Sequence, residues 1–121
     1  VNMSLKQNKY RNKEISIAGQ IFQSKLEAKR YKQLALLEKA GEIKDLKMQV
    51  KYELQEAFTK NGKTYRKIEY IADFVYYDKK LKKTIVEDTK GIKTDVFKIK
   101  QKMFEKKYPE LELRIITKDE V

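Results

Sequence analysis

Between Tyr70 and Gly91 the chain reads YIADFVYYDKKLKKTIVEDTKG, two strand-like runs joined by a lysine-rich turn. Asp73 interrupts the first run, and Glu87, Asp88 and Lys90 crowd the end of the second. Carboxylates grouped in this way offer hard oxygen ligands, and an ammonium beside them can orient water or offset growing negative charge. A tight tip at Lys80-Leu81 sets Asp73 directly opposite Asp88, with Lys90 one pleat further along the same face. Opposed Cβ atoms lie ~4.5–5.5 Å apart, where like charges repel. Such a pair needs a cation between its members or a proton on one of them. Alternatively the hairpin turns its charges to water, and a one-residue slip of the turn would part the two aspartates. Ile71, Val75 and Val86, expected on the aspartates' face, favour burial. Alternation sends Glu87 to the opposite face unless a bulge lies between it and Lys90.

A third carboxylate stands upstream in SKLE, Ser24 to Glu27. This is the capping-box pattern, in which Glu27 reaches back to the helix start and needs no chemistry. Yet Glu27, Tyr31, Leu34 and Glu38 recur with helical spacing, which puts Glu27 on the face that meets a sheet. Both roles stay open on sequence alone.

Composition narrows the chemistry. The 121 residues contain no His and no Cys. That excludes Ser–His and Cys–His catalysis, zinc ribbons, disulfide frameworks and His-ligated metals. Metal chemistry would therefore use oxygen ligands, and so Mg²⁺, Mn²⁺ or Ca²⁺. The net charge is +11, carried mostly by lysine, with Arg11, Arg30, Arg66 and Arg114 the only arginines. A lysine excess suits contacts with phosphates of a polyanion more than bidentate base reading; it also serves mere solubility. No stretch is apolar enough for a membrane span or reads as a signal peptide, so a cytoplasmic protein is expected.

The elements that must carry these residues follow from pattern. Residues 1–13 read as a flexible basic arm, and residues 14–121 as one domain. ISIAGQIF suggests a short strand or turn, and a helix runs from Ser24 to about Ala40, stopped by Gly41. Alternation predicts a strand over Met48–Phe58, and Asn61-Gly62 signals a hairpin. Further strands are expected at Lys67–Tyr77 and Thr84–Thr89. A helix capped by Thr94 or Asp95 runs to about Lys107, with Val96, Ile99, Met103 and Phe104 as its inward residues, and Leu111–Thr117 is the last strand. A helix between the last two strands makes them parallel. The expected fold is α/β, with antiparallel strands plus one parallel crossover strand in a mixed sheet flanked by helices.

In this order, SKLEAKRY, YIADF and EDTKG resemble the PD-(D/E)XK nuclease superfamily: a helix-borne Glu, an Asp on one strand, then (D/E)-x-K on the next. The resemblance spans about Phe22 to Thr117, and takes in small phage and prophage nucleases of unknown function. ADF and VEDTKG are also similar to the core of phage endonuclease-I type Holliday junction resolvases and of transposon-end endonucleases. The resemblance implies a restriction-endonuclease-like core and hydrolysis of DNA phosphodiesters, with selectivity for branched DNA in phage or prophage DNA processing inside a bacterial cell. It implies Glu27, Asp73, Asp88 and Lys90 as catalytic residues. Mg²⁺, with Mn²⁺ as substitute, would be held by Asp73, Asp88, the Thr89 carbonyl and Glu27. Ala72 stands where the motif has proline. Relatives often show Gln-Pro after the first helix; here Gln49-Val50 stands, and Gln49 is assigned no role.

DNA would be held mainly through its phosphates. Lys93, Lys98 and Lys102, with Lys9 and Arg11 on the arm, are the expected contacts, and Lys100, Lys106 and Lys107 extend a basic helix side. An amphipathic helix with a solvated lysine face would look the same. A homodimer would suit junction resolution through paired nicks. The alternative function is a non-catalytic nucleic-acid-binding module that keeps the fold.

Overall fold

A computed structural model describes residues 15–17 and 20–121, with side chains from Phe22 onward. The basic arm predicted over 1–13, with Lys9 and Arg11, lies outside the described residues.

Two short strands, β1 (Ile15–Ile17) and β2 (Gln20–Phe22), pair antiparallel and lead into α1 (Lys25–Lys39). Ser24 caps α1 by accepting the Glu27 amide at 3.1 Å. Gly41 ends the helix at φ +81°, a left-handed conformation that glycine adopts without cost to a Cβ. β3 (Ile43–Gln55) starts earlier than its alternation suggests, because register shifts break the pattern at both ends. The Asn61-Gly62 turn, at φ +53° and +77°, joins β4 (Phe58–Lys60) to β5 (Lys63–Tyr65) as the hairpin signal predicts. β6 (Ile68–Asp78) and β7 (Lys83–Thr89) follow, then α2 (Asp95–Lys107), β8 (Glu112–Ile116) and a 3₁₀ turn at Lys118–Glu120.

The main sheet has the order β3-β6-β7-β8, antiparallel except for the parallel β7–β8 pair. This is the expected α/β mixed sheet. α1 covers a cluster of Phe22, Ala28, Leu34, Ile43, Phe74, Tyr76 and Ile85. α2 covers another, of Leu54, Tyr70, Ala72, Val75, Val86, Phe97 and Phe104. Its inward residues correct the expectation in part: Phe104 is buried and Met103 packs on the cluster as expected, but Phe97 is buried too, and Val96 and Ile99 are 63% and 59% exposed. The two rings bury more area than the β-branched residues beside them and so set the helix rotation.

β3 and β6 exchange faces midway. Met48 and Phe74 are a direct pair and belong with the α1 cluster. Val50 and Ala72 are the next but one pair and belong with the α2 cluster. Regular strands keep such residues on one face. The reversal falls at Gln49 and Asp73, and Gln49 holds φ +53°, sparsely used by side chains other than glycine. The uninterrupted face expected for Ile71, Asp73 and Val75 therefore does not form, and Ile71 is exposed. No helix among the described residues is long and apolar enough to cross a membrane.

Candidate active site

The predicted hairpin register is the observed one: Asp78 pairs with Lys83, and the ladder runs through Phe74–Glu87. Asp78 holds the turn by accepting the Lys80 and Leu81 amides, each at 2.9 Å. One step past Phe74–Glu87 the backbones stop pairing. Asp73 takes over with its side chain, accepting the amide and the hydroxyl of Thr89 on Oδ2, each at 2.8 Å. At this fork Asp73 acts on the Asp88 carboxyl, both as a hydrogen-bond partner for its protonated form and through its charge.

Asp88 is 2% exposed. Its Oδ2 accepts the Tyr70 hydroxyl at 2.7 Å and faces the Lys90 ammonium at 3.4 Å. Burial, then the hydrogen bond and charge of Asp73, push the Asp88 carboxyl up to about 7; Tyr70 and Lys90 pull the other way. Lys90 lies over the Phe97 ring, 4.6 Å from its centroid, while its amide donates to Ile116 on β8 at 3.0 Å. Thr94 caps α2 by accepting the Phe97 amide, which sets that ring beneath the ammonium.

Glu27 combines the two roles left open. Its amide enters the cap, but its buried carboxylate reaches the Gln23 amide at 3.3 Å, not the Ser24 amide, and accepts Gln49 Nε2 at 2.8 Å. Burial first, and then the charge of Asp73, raise its pKa. Glu27 thus joins the site from the α1 side. The described residues bring no three carboxylates into a single cage. The close pair is Asp73–Asp88, and Glu27 flanks it with both oxygens already accepting protein donors.

Glu87 belongs to the opposite face, as alternation predicts. It is fully buried and accepts Arg30 Nε and Nη2 at 2.7 and 2.6 Å, together with the Tyr76 hydroxyl. With its charge compensated under α1, Glu87 is closed to the site.

The donor set at the fork fits a hard divalent cation. Asp88 is buried and Asp73 half-buried, the charge of Asp73 makes Asp88 costlier to ionise, and a cation between them would remove that cost. The protein donors described above reach Oδ2 of each aspartate, which leaves both Oδ1 atoms for such an ion.

A cavity of about 270 Å³, lined by Tyr70, Ile71, Asp88, Lys90, Val96 and Lys100 among others, opens on one side of Lys90. A wider concavity of about 710 Å³, also bordered by Lys90, opens between the first turn of α1 and the loop Gly91–Thr94. Of the expected phosphate contacts, Lys93, Lys98 and Lys102 are exposed, while Lys100 enters the cavity wall. Lys107 departs from that track: it lies 3.9 Å from Glu53 on β3.

Tyr70 and Phe97 are site residues that sequence reasoning missed, and Gln49, singled out in the sequence without a role, takes one by donating to Glu27. Tyr70 carried a usable signal, as a tyrosine shortly before the motif aspartate on the strand facing Asp88.

A family model described as a protein of unknown function (DUF1064) matches residues 7–120. No curated protein and no solved structure matches the chain.

Proposed function

The chain belongs to the DUF1064 family, and we propose that it is a metal-dependent endodeoxyribonuclease that hydrolyses DNA phosphodiester bonds. The observation that carries this is the meeting of Asp73 and Asp88 where β6 and β7 part, with Lys90 beside Asp88. The resemblance of Glu27, Asp73, Asp88 and Lys90 to the PD-(D/E)XK pattern supports the same conclusion.

Asp73 and Asp88, with the Thr89 carbonyl, would hold Mg²⁺ or Mn²⁺, and Glu27 would reach the ion through water. Bound there, the ion supplies Lewis acidity toward the scissile phosphate and lowers the pKa of water. The remaining work belongs to the chain. Thr89 fixes the Asp73 carboxylate through two donors, and Tyr70 fixes Asp88 through one. Lys90 orients the attacking water or offsets charge growing on phosphorus, steadied by the Phe97 ring. Gly91 leaves open space beside Lys90 for a phosphate backbone, since a Cβ there would meet nothing within 4 Å.

On this account the enzyme acts in the cytoplasm of a bacterial host, in phage or prophage DNA processing, with branched DNA and plain duplex both candidate substrates. A homodimer would let two such sites nick opposing strands. The test is incubation with supercoiled plasmid and a four-way junction in Mg²⁺, Mn²⁺ or EDTA. Cleavage with either metal, lost in EDTA and in Asp73→Ala, is expected. Tight DNA binding without cleavage would point instead to the non-catalytic module.

A further inference from the structure

We propose that the β4–β5 ribbon is a second DNA contact, an arm that grips duplex phosphates away from the site. The inference rests on the nucleic-acid half of the function proposed above, not on cleavage. Every residue from Gln55 to Lys67 is exposed, so the ribbon projects from the sheet rather than packing on it. Lys60, Lys63, Arg66 and Lys67 fall in this segment, and no acid lies between Glu56 and Glu69. Lys67 pairs with Glu69 at 3.2 Å; among the described residues the other three cations have no acidic partner.

An isolated two-stranded ribbon is marginal in water. This one is held by the cross-strand pair Phe58–Tyr65, whose rings stack at 4.8 Å, and by the Thr59 and Thr64 hydroxyls at 3.2 Å on the other face. Lys60 and Lys63 share the aromatic face, with the Lys63 ammonium 4.9 Å from the Tyr65 ring centroid. Protection of an exposed edge would be served by charge of either sign. Charge of one sign on an exposed projection suits a polyanion, and it opposes a second copy of this chain.

β6 runs directly from the ribbon to Asp73. At ~3.3 Å per residue, Ile68 is ~17 Å from Asp73 along the strand and Lys63 at most ~33 Å. With ~3.4 Å per base pair along a strand, the arm would meet phosphates roughly 5–10 base pairs from the cut.

The test is binding of fluorescent duplexes in EDTA, where cleavage plays no part. The full chain is compared with a Lys60→Ala/Lys63→Ala/Arg66→Ala variant at several salt concentrations. On a duplex of about 30 base pairs the variant should bind roughly tenfold more weakly at low salt, with a log–log salt slope shallower by about 2–3. The Lys60→Arg/Lys63→Arg variant should retain wild-type binding. Equal affinities and slopes for wild type and the triple variant would overturn the arm and leave the nuclease proposal standing. So would sedimentation showing that wild type is a dimer which the triple variant dissolves, since the ribbon would then join copies of the chain.

Discussion

Tyr70 donates its hydroxyl to Asp88 Oδ2 at 2.7 Å, across the splayed ends of two neighbouring strands. The bond joins a residue whose phenol pKa burial drives upward to a carboxylate that needs help to ionise. Tyr70→Phe removes that help while keeping the ring against Phe97 and Phe104. Asp88 should then titrate at higher pH. Mn²⁺ binding followed by calorimetry across pH should show its midpoint moved upward, with a loss of about 1–2 kcal/mol in stability by urea denaturation.

Metal-free stability should fall as pH rises. Asp88 titrates at about 7 in the fold against an ordinary 3.8, so between those values the folded chain holds a proton that the unfolded chain releases. Its contribution is complete below about pH 4 and is lost through pH 7. Urea midpoints in EDTA at pH 5 and pH 8 measure this, and Asp88→Asn should flatten the difference. With metal present the sign reverses, because the ion binds the ionised form: apparent affinity should drop about tenfold per pH unit below 7. An unchanged wild-type slope in Asp88→Asn would count against the fork as the source.

Glu87 and Asp88 are neighbours in sequence with opposite assignments. Arg30→Met leaves the Glu87 carboxylate buried without its bidentate partner and should cost about 3–5 kcal/mol. Glu87→Gln, where it folds, should keep Mn²⁺ affinity at the fork, whereas Asp88→Asn should lose it. The reverse pattern would make Glu87 the motif acid.

The hairpin register was legible because a single turn sets it, and Asp78 locks that turn locally. The caps Ser24 and Thr94 were legible for the same local reason. Gln49 was not. Carried straight down the strands, the Asn61-Gly62 turn that pairs Phe58 with Tyr65 would set Val50 opposite Asp73. The register shift between Glu53 and Gln55 moves the partner to Gln49. An extra residue in a ladder leaves little trace in sequence, yet it decides which side chain meets Glu27. Alternation likewise could not foresee the exchange of faces at Gln49 and Asp73. Phe97 escaped notice because Val96, Ile99 and Met103 offered a helical stripe of their own; ring area decided between the stripes.

Gln49→Ala tests that hidden partner. It frees one oxygen of a buried carboxylate whose pKa is already raised, so Glu27 should hold its proton to still higher pH. NMR titration of the Glu27 side-chain carboxyl should show the upward movement, and no movement would mean that the Gln49 contact does not persist in solution.

Lys90 offers the most direct test, because it should matter to cleavage and not to holding the ion. The measurement is the rate of plasmid nicking at saturating Mn²⁺ by wild type and Lys90→Ala, with ion binding verified on the same samples. Wild type should nick, and Lys90→Ala should bind the ion at least as well yet nick roughly 10²–10⁴ times more slowly. Nicking at the wild-type rate by Lys90→Ala, or none by wild type, would contradict the assignment.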